Sequence, residues 1–391
     1  MISVAEALAR IFALLKPLDT EVVPLREAAG RVLAQAIIAK RDQPPFDASV
    51  MDGYGISDTA PEVGARFTVV GEAAAGHAFD GHINPGEAVR IFTGARVPDG
   101  VERVIIQEDV RRNDNTIVLN HKLDSSFYIR RQGVDFNVMS ELKFPRRLSA
   151  ADVSLIASIS QSVVPVFRRP NVALIATGDE LVMPGERPDD DQIIASNTFG
   201  LAATVEAANG RARVLPIARD SEASLMAIFD LAKSADLIVT IGGASVGDHD
   251  LVGKVAAKLG MERAFHKVAM RPGKPLMAGL LAGTPMIGLP GNPVSSMVCG
   301  HIFISPALDA LQGLPARPIP RRVVPLAAPI SDNGPREHYM RATFSDGEVT
   351  AAERQDSALL SVLSSANALI VRPPNDGSRQ AGELVEVIDL P

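Results

Sequence analysis

The sequence has little of what several common protein classes depend on. It contains a single cysteine, Cys299, so the chain forms no internal disulfide and no cysteine-based metal site. Its seven histidines show no metal-ligand spacing such as H-x-x-x-H. No G-x-S-x-G, Walker A or G-x-G-x-x-G motif stands in the context that such motifs require. These absences argue against a serine hydrolase, an ordinary NTPase and a dehydrogenase.

An excess of positive charge and long apolar runs are also absent. The formal net charge is −7, which argues against general nucleic-acid binding but allows local clusters that bind anionic small molecules. Glu6 interrupts the apolar start, where Leu8, Ile11 and Leu15 fall at helical spacing, so we expect an amphipathic helix rather than a signal peptide. No apolar run reaches the ~18 residues of a membrane span. We therefore expect a cytoplasmic protein that binds neither membrane nor nucleic acid.

The length of 391 residues predicts roughly two to three domains. The first 38 residues predict a helix, a short strand (EVVPL) and a second helix (REAAGRVLAQAI). From residue 39 to about residue 131, short strand-like runs alternate with Gly, Pro and Asp, which predicts a small all-β domain. A helical segment, SAADVSLIASIS, follows.

Strands and helices alternate in the third region. The segments NVALIAT, RVLPIA, DLIVTIGG, AFHKVAM, LMAGLL and MIGLP predict strands, and helical segments lie between several of them. This order predicts an α/β domain with a largely parallel sheet, in which ligands bind outside the carboxyl ends of the strands. After the linker GLPARPIPRR, short strands predict a second small β domain. The expected fold class is therefore α/β plus β.

A glycine-rich segment follows the strand DLIVTIGG. Gly242 and Gly243 allow backbone amides to approach an anion, and Ser245 adds a hydroxyl. Asp248 and Asp250 supply the hard oxygen ligands that Mg²⁺ prefers. The same residues would also suit a tight turn with helix caps, so this motif alone leaves both interpretations open.

Three further motifs follow other strands of the α/β region. RPGKP places Arg271 and Lys274 on a stiff bend, with Lys267 on the preceding strand, and these charges favour an anionic ligand. PGNP begins a helix, where Asn292 could cap the helix or contact a ligand, and TGDEL places Glu180 at a strand end. The alternatives are a surface turn for RPGKP, a structural turn for PGNP and a favourable helix start for TGDEL.

The all-β region carries its own unusual turns. PPFDASVMDGYG presents Asp52, Thr93 follows the strand EAVRIF, and Asp135 closes the region in RRQGVDF. Each of these positions also has a plain turn as its alternative.

Taken together and in order, these motifs resemble the MoeA family of molybdopterin molybdenumtransferases, which is similar to the C-terminal part of gephyrin. The resemblance covers essentially the whole chain and is carried by PPFDASVMDGYG, EAVRIFTGA, VIIQEDV, RRQGVDF, ALIATGDELVMPG, IIASN, TIGGASVGDHD, KVAMRPGKPLMAG and IGLPGNPVSS. It implies that adenylylated molybdopterin and molybdate are the substrates, and that molybdenum is inserted into the pterin dithiolene with Mg²⁺-dependent release of AMP.

The resemblance and the motifs described above together indicate which residues act. The expected catalytic residues are Asp52, Glu180, Asp220 and Asp250. The expected metal ligands are Asp220, Asp248 and Asp250. The expected substrate-binding residues are Thr93, Asp135, Gly242, Gly243, Ser245, Lys267, Arg271, Lys274, Pro290, Asn292, Pro293 and, as a weaker match, Ser357.

Three positions depart from the family pattern. Arg271 stands where many members have Lys, which keeps the charge but replaces a point charge by a planar fork. Ala48 replaces a frequent Asn, and Asp356 replaces the usual Gly before Ser357. We expect none of these changes to abolish the site.

The family fold implies four domains in an elongated homodimer. The boundaries we expect are 1–38 with 132–168 for a helical linking domain, 39–131 for an inserted β domain, 169–317 for the α/β domain and 318–391 for the C-terminal β domain. Expected partners are a molybdopterin adenylyltransferase and proteins that mature downstream molybdoenzymes. Two alternative functions are a molybdopterin adenylyltransferase, which shares the α/β domain type, and a gephyrin-like scaffold without catalysis.

Overall fold

The computed structural model describes residues 1–243 and 251–391, which form two compact units. The first unit comprises Met1–Ala34, Pro145–Ser149 and Val164–Pro391. The second unit comprises Gln35–Phe144 and Ala150–Val163.

Helices and strands are numbered along the chain. The α-helices are α1 Val4–Leu14, α2 Ala150–Ser158, α3 Asn197–Ala207, α4 Glu222–Ala232, α5 Leu251–Lys258, α6 Pro293–Cys299, α7 Ser305–Leu311 and α8 Leu360–Ser364. A π-helical turn, Gly300–Ile304, joins α6 to α7, and short 3-10 helices occupy Leu25–Glu27 and Gln107–Asp109. The strands are β1 Thr20–Pro24, β2 Val32–Leu33, β3 Ile37–Ile38, β4 Ala48–Ser49, β5 Gly53–Ile56, β6 Arg66–Ala73, β7 Glu87–Ile91, β8 Arg103–Ile106, β9 Val110–Asn113, β10 Thr116–Leu119, β11 Ile129–Arg130, β12 Glu141–Leu142, β13 Arg146–Arg147, β14 Val163–Phe167, β15 Asn171–Ala176, β16 Leu181–Val182, β17 Ile193–Ile194, β18 Arg211–Val214, β19 Leu237–Ile241, β20 Glu262–His266, β21 Met270–Arg271, β22 Met277–Leu281, β23 Thr284–Leu289, β24 Arg322–Pro325, β25 Glu337–Ser345, β26 Glu348–Ala351, β27 Ala368–Arg372 and β28 Leu384–Asp389.

The central sheet of the first unit has the strand order β18-β15-β19-β23-β22-β20. The pairs β15–β18, β15–β19 and β19–β23 are parallel, while β22 runs antiparallel to both β23 and β20. The largely parallel sheet predicted from the alternating pattern is therefore present. The carboxyl ends of β15, β18, β19 and β23 lie at one edge of this sheet.

Helices cover both faces of the central sheet, and the side chains of β15 alternate between the two cores. Val172 and Leu174 pack with α1, α3, α6 and α7 on one face, whereas Ala173 and Ile175 pack with α4 and α5 on the other. This alternation follows from the two-residue period of a strand. It explains why residues 172–176 of NVALIAT are all apolar, and not only every second one, as expected of a strand that is buried on both faces.

A separate sheet closes the carboxyl-terminal part of the first unit, in the order β21-β25-β27-β28-β24, with β26 paired to β25. Its core contains Leu326, Val349, Ile370 and Val387. Strand β21 belongs by sequence to the RPGKP segment, yet it pairs in parallel with β25, with Arg271 opposite His338. The central α/β fold and this sheet are therefore joined by backbone pairing.

The second unit is built on a sheet of order β8-β5-β7-β6-β10-β9, as the short strand-like runs predict. Tyr54, Ile56, Ile105 and Ile117 belong to one of its cores. Two small antiparallel pairs, β4 with β11 and β3 with β12, form separate two-stranded sheets in the same unit.

The second helix predicted over REAAGRVLAQAI is wrong. After the 3-10 turn, Gly30 has a φ of +74°, which ends helical geometry, and β2 and β3 follow. The Arg31 side chain is buried, and its Nη2 donates hydrogen bonds to the Glu21 carboxylate and to the Phe167 carbonyl. Pairing of β2 with β13 and β14 uses the same apolar residues that suggested a helix, so tertiary pairing overrides the local pattern.

Among the described residues, the continuous helix Pro293–Leu311 is long and apolar enough to cross a membrane by length and composition. Its apolar window is 78% buried inside the fold, and Val298, Phe303 and Leu308 belong to the main core. The helix is thus accounted for as a core helix.

Candidate functional site

A cleft of about 390 Å³ lies at the carboxyl edge of the central sheet. Residues that follow β15, β19 and β23 form its floor, and residues 193–198 form one wall. Six of the predicted site residues line it: Glu180, Gly242, Gly243, Pro290, Asn292 and Pro293. The structure therefore gathers residues that are up to 113 positions apart (180 to 293) at the edge where an α/β sheet binds ligands.

The glycine pair at the end of β19 is required by geometry. Gly242 and Gly243 have φ values of +89° and +64°. A Cβ on Gly242 would lie 2.9 Å from the Thr177 carbonyl oxygen, and one on Gly243 would overlap Val252. Glycine at both positions thus allows the positive φ values and the close packing of this turn against Thr177 and Val252. The predicted residues Ser245, Asp248 and Asp250 lie outside the described residues.

The connections after β15 and β18 are held together next to the cleft residue Glu180. Asp179 Oδ1 accepts a hydrogen bond of 3.1 Å from the backbone N–H of Asp220. Arg219 Nη1 donates to the carbonyls of Asp179 and Leu181, at 3.0 Å each, which fixes the turn after β15 against the connection after β18. The structure therefore brings the loops of Asp220 and Glu180 together. Sequence reasoning had not assigned a role to Arg219.

Glu180 is exposed and folds back over Gly178. A Cβ on Gly178 would lie 2.7 Å from Glu180 Oε1, so glycine leaves room for this carboxylate. Within residues 1–243 and 251–391, the Glu180 side chain makes no hydrogen bond or ion pair, and it is thus available to a substrate or a water molecule. Over the same residues, no group of three or more His, Cys, Asp or Glu side chains converges as a metal site.

The RPGKP segment forms a closed loop beside the cleft. The backbone N–H of Lys267 donates to the Leu276 carbonyl at 2.9 Å, and that of Val268 donates to the Lys274 carbonyl at 3.1 Å. Lys274 is exposed and immediately precedes Pro275, which lines the cleft. In the described part of the chain, the ammonium groups of Lys267 and Lys274 have no hydrogen-bond or ion-pair partner, so both charges are uncompensated.

The carboxyl-terminal sheet adds a buried arginine that sequence reasoning missed. Arg341, on β25, is fully buried, and its Nη2 donates to the carbonyls of Arg354 and Asp356 at 3.1 Å each. Its Nε and Nη1 are buried without a hydrogen-bond partner among the described residues. Burial, with a contribution from the nearby charge of Arg271, lowers the pKa of Arg341. The sequence gives no signal that separates it from an outward-facing charge on a strand, because contacts distant in sequence bury it.

The electrostatic character of this region is reported by His338, which is buried beside Arg341. Its pKa is lowered to about 4, first by burial and then by the charges of Arg271 and Arg341, with smaller contributions from two other arginines. His338 is therefore neutral at pH 7. The local potential is positive, and such a potential attracts anions.

Ser357 connects the carboxyl-terminal sheet to the cleft. Its Oγ accepts a hydrogen bond of 3.3 Å from Asn292 Nδ2, and its carbonyl accepts one of 3.0 Å from the Val294 N–H. The weakest of the sequence matches is thus in contact with a cleft residue. The added carboxylate of Asp356 accepts from the Ala358 N–H at 2.8 Å, so it caps its own turn.

The second unit holds Asp52 and Thr93 in direct contact. The backbone N–H and the hydroxyl of Thr93 each donate to Asp52 Oδ1 at 2.8 Å. These hydrogen bonds, first the backbone one, and the charge of Arg90 lower the pKa of Asp52. Arg90 is held between the rings of Tyr54 and Phe92, at 5.0 and 4.7 Å from their centroids. Asp52 is therefore presented as a fixed carboxylate.

Asp135 lies on another loop of the second unit. It is exposed, and its backbone N–H donates to the Gln43 carbonyl at 3.0 Å. Asp47, from the PPFD motif, accepts from Arg131 Nη1 at 2.6 Å and from the Gln132 N–H at 2.8 Å. The PPFD and RRQGVDF segments thus form one loop cluster. Ala48, which replaces the frequent Asn of the family pattern, is buried in β4, and β4 pairs with β11.

Comparison with known proteins places these features in one family. Residues 2–160 match the MoeA N-terminal region (domain I and II), residues 173–310 a probable molybdopterin binding domain, and residues 323–390 the MoeA C-terminal region (domain IV). A molybdopterin molybdenumtransferase of Haemophilus influenzae is 34% identical over 384 residues, which cover 95% of this chain and 94% of the relative. The chain belongs to the MoeA family of molybdopterin molybdenumtransferases. Its family resemblance, inferred above from the ordered motifs, is confirmed.

Other relatives of this MoeA-family chain agree. A molybdopterin molybdenumtransferase of a Nostoc species is 33% identical over 389 residues, covering 95% of this chain and 89% of the relative. A crystal structure of the molybdopterin biosynthesis MoeA protein of Pyrococcus horikoshii OT3 superposes with a TM-score of 0.87 at 26% identity, over 100% of both chains. The cleft lies within the segment that matches the molybdopterin binding domain. The multidomain mixed α/β fold with a carboxyl-terminal β domain is thus that of the family.

Proposed function

We propose that this MoeA-family chain inserts molybdenum from molybdate into adenylylated molybdopterin and releases AMP. The observation that carries the proposal is the composition of the carboxyl-edge cleft. The glycine turn at Gly242 and Gly243 and the exposed carboxylate of Glu180 line it. The RPGKP loop, which carries Lys274, borders it through Pro275, and the Lys274 ammonium has no partner in the described chain. A substrate with a diphosphate and an oxyanion needs such a combination.

The diphosphate of the substrate is proposed to bind between the turn at Gly242 and Gly243 and the lysines of the RPGKP loop. Backbone N–H groups at a glycine turn and uncompensated ammonium groups both stabilise phosphate oxygens. Lys267 and Lys274 fit this role because neither has a partner within the described chain that binding would have to displace.

Molybdate is proposed to bind where the RPGKP loop meets the carboxyl-terminal sheet. Arg271 and Arg341 are close enough for the charge of one to affect the pKa of the other, and two N–H groups of Arg341 lack a hydrogen-bond partner among the described atoms. A tetrahedral dianion would satisfy buried donors that otherwise cost free energy, about 1–3 kcal/mol for each unsatisfied group. Ser357 follows Asp356, whose carbonyl accepts from Arg341, and it contacts the cleft residue Asn292.

The proposed Mg²⁺ site uses carboxylates at the carboxyl ends of β18 and β19. Asp220, held against Asp179, offers oxygen donors of the hard type that Mg²⁺ prefers, which fits the ion, and Asp248 and Asp250 are the other proposed ligands. Bound Mg²⁺ would neutralise charge on the phosphate oxygens. Glu180, whose carboxylate is free in the described chain, is proposed to orient water or the substrate.

In the second unit, Asp52 is proposed as a catalytic residue, and Thr93 and Asp135 are proposed as substrate-binding residues. The Thr93 hydrogen bonds keep Asp52 ionised, so its role is that of a fixed carboxylate. We further propose a homodimer in the cytoplasm, the four domain boundaries given above, and transfer from a molybdopterin adenylyltransferase to maturation proteins of downstream molybdoenzymes.

One assay tests the function directly. Purified protein is mixed with adenylylated molybdopterin, Mg²⁺ and molybdate, and AMP release is followed. We expect molybdate-dependent AMP release that Glu180→Gln slows. Production of pyrophosphate from ATP and molybdopterin would instead identify an adenylyltransferase, and binding without AMP release would identify a non-catalytic scaffold.

A further inference from the structure

A second polar cavity lies at the edge of the central sheet opposite the cleft. It measures about 360 Å³, and its charged lining residues are Arg26, Arg31, Arg169, Arg211, Glu21 and Glu27. Arg169 precedes β15 by two residues and Arg211 begins β18, so both stand at the amino ends of parallel strands. Since a six-residue strand is about 20 Å long, this arginine cavity is separate from the cleft.

The charges that line the arginine cavity do not cancel. Glu21 is paired with Arg31, and Glu27 lies 3.5 Å from Arg26 Nε. The guanidinium groups of Arg169 and Arg211 have neither a hydrogen bond nor an ion pair anywhere in the described chain. The nearby carboxylate of Asp236 is already engaged by both terminal nitrogens of Arg168, at 2.8 Å each. Two positive charges therefore stay uncompensated.

Arg31 adds a buried donor to the same cavity. The residue is 4% exposed, and although its Nη2 donates to Glu21 and to the Phe167 carbonyl, its Nε has no hydrogen-bond partner among the described residues. The main chain that carries the neighbouring arginines is held in place, because Arg211 N–H donates to the Pro170 carbonyl at 2.8 Å and Asn171 stands opposite Arg211 in the sheet. The cluster thus combines a buried arginine, Arg31, with arginines that the sheet places at its amino-terminal edge.

We propose that the arginine cavity binds a phosphate dianion, either inorganic phosphate or the phosphate group of a small-molecule monoester. Guanidinium groups bind such oxyanions with paired, charge-assisted hydrogen bonds. The cavity volume falls in the range of about 300–1,000 Å³ that small-molecule sites occupy. This site is independent of the proposed reaction, since no residue of the carboxyl-edge cleft lines it.

The test is calorimetric titration of the full-length protein at constant ionic strength, with inorganic phosphate and, separately, ribose 5-phosphate. All proteins carry Lys267→Ala/Lys274→Ala, which removes the phosphate-binding lysines proposed for the cleft. In this background we expect Arg169→Ala/Arg211→Ala to weaken phosphate binding at least ~10-fold, because two charge-assisted contacts are lost. Tighter binding of ribose 5-phosphate would identify a monoester as the ligand, and equal affinities would identify inorganic phosphate.

The matched control is Arg66→Ala/Arg317→Ala, which removes two positive charges from exposed side chains outside the cavity. We expect it to change phosphate affinity less than ~2-fold at constant ionic strength. Arg169→Lys/Arg211→Lys keeps the charge and guards against misfolding, and we expect it to retain more affinity than the alanine pair. The proposal is overturned if the parent protein binds no phosphate, or if the alanine pair and the control weaken binding equally.

Discussion

Replacing Gly273 by alanine should destabilise the first unit and disturb the RPGKP loop. Gly273 has a φ of +111°, and an added Cβ would overlap Cys299 Sγ and lie 3.1 Å from Met270 Sδ. The unfavourable backbone conformation costs about 1–3 kcal/mol, and forcing a methyl group against a packed core costs about 1–3 kcal/mol more. The expected loss is therefore about 2–6 kcal/mol, or roughly 4–24 °C in melting temperature for a unit of this size.

Gly283→Ala is the matched control, because Gly283 has a φ of +85° but an added Cβ there would meet nothing within 4 Å. It isolates the backbone cost from the clash. The clash itself is tested by a double-mutant cycle: Cys299→Ala removes the sulfur, so Gly273→Ala should cost at least ~1 kcal/mol less in that background. Melting curves of the four proteins of the cycle give this coupling.

The reasoning about Gly273 would be refuted if Gly273→Ala melted no lower than Gly283→Ala, or if Cys299→Ala gave no rescue. A functional measurement accompanies the melting curves. Because the loop carries Arg271 and Lys274, we expect Gly273→Ala to weaken substrate binding in the AMP-release assay, whereas Gly283→Ala should leave it near normal.

Three further predictions concern charge. Thr93→Val removes a hydroxyl that lowers the pKa of Asp52, so this pKa should rise and the acid limb of the pH–activity profile should move to higher pH; an unmoved profile would contradict the assigned role. His338, with a pKa of about 4 when folded and 6.5 ordinarily, is neutral in the fold but takes a proton on unfolding below pH 6.5. Stability should therefore fall by roughly 2 kcal/mol between pH 6.5 and 5, and melting of His338→Gln at both pH values should show a smaller fall; equal falls would exclude His338 as the cause. Asp250→Ala should bind adenylylated molybdopterin but release AMP at least ~100-fold more slowly, as for loss of one charge-stabilising group. Normal AMP release with a melting temperature lowered by a loss of about 1 kcal/mol would show a helix cap instead.

Much of the α/β region was predictable because its strands are buried on both faces and its helices carry local signals. In NVALIAT, residues 172–176 are all apolar. Ser221 caps α4 by accepting from the Ser224 N–H, as its position before that helix indicates. The cleft was predictable for a related reason. Once strands and helices alternate, the carboxyl ends of the strands must share an edge, so Glu180, Gly242 and Asn292 converge without any knowledge of side-chain contacts.

What the sequence could not predict depends on long-range pairing. Residues 26–37 carry apolar side chains at positions that suit either a helix or short strands, and only the partners β13 and β14 decide between these. Arg341 was missed for the same reason. Inside a strand it resembles an outward-facing charge, and its burial follows from the packing of Arg354, Asp356 and Arg271 around it.

The parallel pairing of β21 with β25 has a consequence for modularity. Met270 and Arg271 pair with Glu337 and His338 of β25. The loop with the proposed substrate cations therefore depends on the carboxyl-terminal domain for part of its backbone pairing. A fragment that ended before residue 318 would expose β21 as an unpaired edge, and it would also lose the Ser357 contact to Asn292. The α/β domain of this chain is therefore not a transplantable catalytic module, and grafting it into another protein would require grafting its neighbour as well.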